Sequence, residues 1–203
     1  AGALNSRLTV ILNDNGMSIA PSIGALTLYL KDLVKTRPTQ SAAEIQRALS
    51  EKFPEEISLA RPDATIFDQL GCTYVGPVDG HNVEDLTDIL AGLRKRDNGA
   101  VVLHIITEKG KGHPFGKPQD ENYHAVNKFN PATGEIYKAQ SKAPTFTNVF
   151  AASLIEEGQR DPDVVAITAA MPSGTGLNEF ARSFPDRCYD VGIAEQHGVT
   201  FAA

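Results

Sequence analysis

The chain is poor in features that mark several functional classes at a glance. It has only two cysteines, Cys72 and Cys188, far apart and without a CxxC pair, so a zinc site or a disulfide framework finds no support. It has no block of lysine and arginine: 19 basic residues face 25 acidic ones, a net charge of −6, which argues against a dedicated nucleic-acid binder. No apolar run approaches the ~20 residues needed to cross a bilayer, and no charged start leads into an apolar signal core. No repeat of fixed period is visible, no HExxH pair marks a metalloprotease, and no Walker spacing marks a phosphate loop. What is present is a 41% hydrophobic share over 203 residues, enough to build a core. These absences and this share describe a soluble chain, expected in the cytoplasm.

The pattern of apolar residues alternates between strand and helix. Residues 8–13 form a short β-branched run ended by turn residues and are expected to be a buried strand. Residues 23–34 place Leu26, Leu30 and Leu33 on one helical face, and Pro38 stops that helix. Ser41 and Glu44 make a capping-box pattern for a helix over 42–53. A short strand at 73–75, a turn-rich stretch at 76–80, a helix over 83–95 and an apolar strand over 100–107 follow. Residues 108–144 show no periodicity, which in a compact domain indicates a functional loop or a linker. The alternation then resumes with a helix at 145–157, a strand at 164–168, a helix at 177–183, a strand at 188–191 and a final helix. Such alternation predicts an α/β protein with parallel sheets, in two pieces divided near residue 140.

Several segments could carry chemistry. Asn13-Asp14-Asn15-Gly16-Met17-Ser18 follows the first strand, at the edge where open α/β sheets bind ligands. Its side-chain and backbone oxygens are hard donors suited to Mg²⁺, although on the residues alone the better reading is the Asx turn that Asn, Asp and Gly make after a strand. Glu108-Lys109-Gly110-Lys111-Gly112 combines glycines that open the backbone to a diphosphate with lysine charge, and a plain solvated loop explains it as well. His104 lies inside an apolar strand and is expected to be a satisfied core residue. His81 follows an Asp-Gly turn, and His113 and His124 lie in the long loop; a loop histidine such as His124 can reach a substrate. In Gly192-Ile193-Ala194-Glu195-Gln196-His197, Glu195 opens the last helix. It is either an ordinary acidic residue at a helix N-terminus or a buried carboxyl group placed to bond a ring nitrogen.

Taken together the segments VILNDNGMSIAPSIGAL, GCTYVGPVDGHNVEDL, EKGKGHPFG, YHAVNKFNPATGE, ITAAMPSGTGL and FPDRCYDVGIAEQHGVTFAA closely resemble the 1-deoxy-D-xylulose-5-phosphate synthase family. These are thiamine diphosphate enzymes of the transketolase superfamily. The segments run in the family's order over most of the chain, and the match is poorest over 36–63. The resemblance implies a transketolase-like fold: residues 1–140 as the end of the diphosphate-binding domain with its long loop, and 141–203 as the start of the pyrimidine-binding domain. It also implies thiamine diphosphate and Mg²⁺ as cofactors. Asn15 and the Met17 carbonyl match the Mg²⁺ ligands, Ile19 the apolar support of the bent cofactor, and Lys109 and His113 the cofactor-contacting loop. Glu195 matches the glutamate that bonds N1′ of the aminopyrimidine, with both domains serving one site. His124 matches a histidine at the substrate.

The implied reaction joins pyruvate to D-glyceraldehyde 3-phosphate with loss of CO₂, giving 1-deoxy-D-xylulose 5-phosphate for isoprenoid, thiamine and pyridoxal precursors. The implied full-length assembly is a homodimer without nucleic-acid or membrane partners. His113 departs from the family, where many members carry tyrosine. The start at Ala1 and the end inside a helical pattern make the chain read as an internal fragment. The family's Gly-Asp-Gly is then expected upstream and its phosphate-binding arginines downstream, which leaves the isolated fragment inactive. The rival readings are a transketolase or an oxoacid dehydrogenase component, distinguished by the acceptor used, and a catalytically dead interaction module.

Overall fold

The computed structural model describes residues 6–17, 22–51, 63–97, 99–115, 128–137 and 143–203. They fall into two compact units, one formed by residues 1–15 and 32–109 and the other by residues 16–31 and 110–203. Both are α/β with parallel strands, as the alternation predicts. No described helix is long and apolar enough to cross a membrane.

The first unit is built on strands β1 (Leu8–Asp14), β2 (Cys72–Asp79) and β3 (Ala100–Ile106), in the order β1-β3-β2. β3 is central, and its run Ala100-Val-Val-Leu-His104 is buried throughout, the near-continuous burial expected of an inner parallel strand. All three strands run the same way, with Leu8 and Cys72 both opposite Ala100, and Asp14 and Asp79 both opposite Ile106. Their carboxyl ends therefore share one edge. Two backbone bonds extend that edge past the ladder, from Thr107 N to the Asp14 carbonyl (2.9 Å) and from Gly80 N to the Ile106 carbonyl (2.8 Å).

Two expectations are corrected here. β1 was expected to be buried, yet Val10 is 43% and Ile11 51% exposed: unlike the other edge strand of this sheet, β1 is open to solvent on both faces. The turn-rich stretch after Val75 belongs to β2, which continues to Asp79 across an irregularity between Val75 and Val78. β2 is also an edge strand, and this is where a sheet tolerates proline. Gln40 completes the broken edge: its N–H donates to the Pro77 carbonyl (2.8 Å), and its side-chain oxygen accepts from Gly76 N (3.2 Å).

Helix α1 (Ala25–Thr36), whose first seven residues belong to the second unit, buries Leu33 but leaves Leu26 57% exposed, so the predicted face is only partly used. The later helices of the first unit begin where their caps dictate. α2 (Ala42–Glu51) starts at the anticipated box, in which Glu44 Oε2 accepts from both the N–H and the hydroxyl of Ser41, each at 2.8 Å. A short α3 (Ile66–Gln69), not anticipated, carries a second box between Thr65 and Asp68. α4 (Val83–Arg94) is capped by Asn82, whose side chain accepts from Asp85 N. Ala42 and Ile45 of α2 and Ile89 and Leu93 of α4 pack with Val75, Val78, Val101 and Leu103 into one core.

The second unit contains α5 (Phe146–Arg160), capped by Thr145, and the parallel pair β4 (Ala166–Thr168) and β5 (Cys188–Asp190). Between the strands lie α6 (Pro172–Thr175), α7 (Leu177–Ser183) and a 3₁₀ turn at Pro185–Arg187, and α8 (Glu195–Ala202) follows β5. Ala166, Leu177 and Phe180 form its core, flanked by Leu154, Ile155, Val164, Phe184 and Cys188. Arg187 locks the α5–β4 connection, donating to the carbonyls of Gly158 (2.9 Å), Asp161 (3.1 Å) and Pro162 (3.0 Å) while lying 3.8 Å over the Phe184 ring. Within the expected loop, Phe129 and Ile136 form an antiparallel bridge around a tight turn at 130–134.

Candidate cofactor-binding site

At the carboxyl edge of the first sheet the side chains after β1 divide into those turned to the scaffold and those that follow it. The Asn13 amide oxygen accepts from the Thr107 hydroxyl at 2.6 Å, which ties the end of β1 to the end of β3. Asp14 Oδ2 lies 3.1 Å from Nε2 of His104, and His104 Nδ1 lies 2.7 Å from the Tyr74 hydroxyl. A neutral imidazole with its proton on Nε2 satisfies both contacts, accepting from Tyr74 and donating to the carboxylate. His104 is fully buried, and its core role agrees with the sequence reading. Tyr74 is itself held by stacking on Phe67 (centroids 5.8 Å apart, 10° between planes) and by the Arg37 guanidinium 5.4 Å from its ring centre.

Asn15 and Met17 then follow, both half-buried, on either side of Gly16 at φ 66°. The amide oxygen of Asn15 and the backbone carbonyl of Met17 are neutral, hard oxygen donors. Among the described residues, no group of three or more His, Cys, Asp or Glu could cage a metal. Oxygen donors of this kind are ones that Mg²⁺ takes alongside phosphate oxygens and water. Ile19 and His124 lie outside the described residues.

The loop after β3 is tied down by His81, which the sequence singled out only as following a turn. His81 N donates to Asp79 Oδ1 (2.9 Å), and its Nε2 accepts from Glu108 N (2.8 Å). Lys109 is half-buried, and Gly110 and Gly112 stand at φ 78° and 82° with open space where a Cβ would be. The left-handed backbone, and not crowding, is what asks for glycine there. His113 packs its ring between Phe115 and Phe129 (6.1 Å to each), and its Nδ1 accepts from Phe115 N at 3.3 Å.

In the second unit Glu195 is the first residue of α8, where the helix dipole favours a carboxylate. Its side chain is exposed, not buried as one sequence reading had it, and it forms no hydrogen bond or ion pair with any described residue. A carboxylate at a helix start can accept a hydrogen bond from a protonated ring nitrogen of a heterocycle. The sequence reading missed two contributors to these geometries. Tyr74 sits in an unremarkable strand, and Asp190 at the end of β5 bonds backbone groups of two loops (Ala170 N and Gly192 N, 2.9 Å each). The Asp190–Gly192 bond is a local Asx turn, but the bonds from Asp190 to Ala170 and from Tyr74 to His104, 20 and 30 residues apart, are ones that no spacing rule announces.

Two family models match the chain. Residues 1–107 match the family model described as 1-deoxy-D-xylulose-5-phosphate synthase, and residues 142–203 match the transketolase pyrimidine binding domain. The chain belongs to the 1-deoxy-D-xylulose-5-phosphate synthase family, thiamine diphosphate-dependent transferases with a transketolase-like fold.

Proposed function

We infer that the enzyme condenses pyruvate with D-glyceraldehyde 3-phosphate, releasing CO₂ and forming 1-deoxy-D-xylulose 5-phosphate for isoprenoid and vitamin precursors. Bound thiamine diphosphate supplies the electron sink for decarboxylation and carbon–carbon bond formation. The Asn15 amide oxygen and the Met17 carbonyl would hold a Mg²⁺ with the diphosphate, and Lys109, His113 and Ile19 would contact the cofactor. Glu195 holds a hydrogen bond at N1′ of the aminopyrimidine, and His124 stands at the substrate to hold or move a proton. Residues 1–140 serve as the diphosphate-binding part and 141–203 as the pyrimidine-binding part, in a cytoplasmic homodimer.

The observation that carries this reading is the match of residues 1–107 to the 1-deoxy-D-xylulose-5-phosphate synthase family model together with that of residues 142–203, Glu195 among them, to the pyrimidine binding domain. The test is CO₂ release from pyruvate by the complete gene product with thiamine diphosphate and Mg²⁺, with and without the aldehyde. Stimulation by glyceraldehyde 3-phosphate, with deoxyxylulose phosphate formed and lost in Glu195→Ala, supports the reading. Decarboxylation indifferent to the aldehyde overturns the substrate assignment.

A further inference from the structure

We propose that Asp190 is the positioning residue for the pyrimidine end of the site, its carboxylate setting the loop that presents Glu195. The proposal rests on the reading of Glu195 given above. Asp190 is the last residue of β5, opposite Thr168 of β4. One oxygen, Oδ1, accepts from Ala170 N and from Gly192 N, each at 2.9 Å. These two donors belong to the two loops that leave the carboxyl ends of the paired strands. A single short side chain therefore staples both loops to one point, beside the backbone bond from Val191 N to the Thr168 carbonyl (2.9 Å).

The backbone at both donors needs holding. Ala170 sits at φ 60° with only 2% of its surface exposed, the one non-glycine residue with positive φ among those described. An L-residue leaves that region when released, and such outliers persist only where surrounding structure over-determines them. Gly192, at φ 71°, starts the short path to Glu195: Ala194 N donates back to the Gly192 carbonyl at 2.8 Å, and α8 begins at the next residue. No side chain caps α8, because its cap position is Ala194. The entry of Glu195 is thus set from behind, by Asp190 through Gly192.

An isosteric change separates this role from bulk packing. Asp190→Asn keeps an acceptor oxygen at the same reach, whereas Asp190→Ala removes it and strands two N–H groups. In the complete gene product, Asp190→Ala is expected to weaken thiamine diphosphate binding about tenfold or more in calorimetry at saturating Mg²⁺, since small misplacements of a contacting group are costly. Binding of inorganic pyrophosphate with Mg²⁺, a probe of the diphosphate end alone, is expected to stay within about twofold, and Asp190→Asn to recover most of the loss. Adding Ala170→Gly to Asp190→Ala is expected to recover part of it too, because glycine tolerates the left-handed backbone unaided.

The controls separate the two readings. If Glu195→Ala binds thiamine diphosphate like the parent, the role of Glu195 falls, and this proposal with it. If Glu195→Ala is weakened but Asp190→Ala is not, only the Asp190 proposal is overturned. Equal loss of pyrophosphate and thiamine diphosphate affinity in Asp190→Ala also overturns it, as general damage. Should Asp190→Ala fail to fold, Asp190→Ser decides on the same readouts, since its shorter hydroxyl cannot serve both N–H groups in place.

Discussion

His104 and Asp14 meet at 3.1 Å across paired strands, 90 residues apart in the chain, and join a fully buried imidazole to the last residue of the edge strand that leads into Asn15. With Tyr74 on the other ring nitrogen, this contact secures the end of β1 from inside the sheet. Truncation to His104→Ala strands two polar partners and leaves a cavity. It is expected to cost about 3 kcal/mol in urea denaturation. Tyr74→Phe, which removes one bond and keeps the ring, is expected to cost about 1 kcal/mol. Coupling between the two in a double-mutant cycle is expected, and strict additivity counts against the connected arrangement.

Gly76 is a second constraint on the same histidine. Its φ is 121°, and a Cβ there meets the His104 carbonyl oxygen at 2.5 Å. Gly76→Ala is therefore expected to destabilise by about 2 kcal/mol or more, through backbone strain and displacement of β3. Gly110→Ala serves as the contrast, because open space surrounds it and only the left-handed backbone penalises the change, by about 1 kcal/mol. A midpoint for Gly76→Ala equal to that of Gly110→Ala contradicts the close approach.

Arg187 is expected to be irreplaceable by lysine. Its guanidinium reaches carbonyls at 158, 161 and 162 and lies flat over Phe184, a combination that needs a planar fork of donors. Arg187→Lys and Arg187→Ala are each expected to lower stability by about 2 kcal/mol or more, with lysine restoring less than half. Thermal melting of the two variants side by side is the measurement, and full rescue by lysine is the contrary result.

The Ser41–Glu44 box makes a prediction about pH. The backbone N–H of Ser41 first, and then its hydroxyl, hold the Glu44 carboxyl below its ordinary value of 4.5. A carboxyl lowered in the folded state contributes stability that is fully present above its unfolded value and is lost as pH falls through the folded one. The difference in melting temperature between the parent and Glu44→Gln is thus expected to be constant near neutrality and to shrink below about pH 4.5. A difference that grows with acid contradicts the assignment.

Much of the architecture was legible because it rests on local rules. The strand–helix alternation implied parallel sheets, and β3, α4 and α7 lie where the apolar periodicity put them, to within a residue. Ser41 with Glu44 announced the start of α2, and Glu195 was placed at the start of α8.

What the sequence by itself determined was the periodic, short-range part: most of the longer strands and helices, and which segments carry the family's motifs. Only the tertiary structure decided strand order, and with it that β1 is an exposed edge rather than a buried strand, since burial depends on neighbours that periodicity does not name. It also decided that Asp14 turns to His104, and that Asp190 reaches Ala170, 20 residues back in the chain. Hydrogen bonds of this kind act over a few ångströms between residues brought together by register and packing, and no local pattern in the chain encodes those partners.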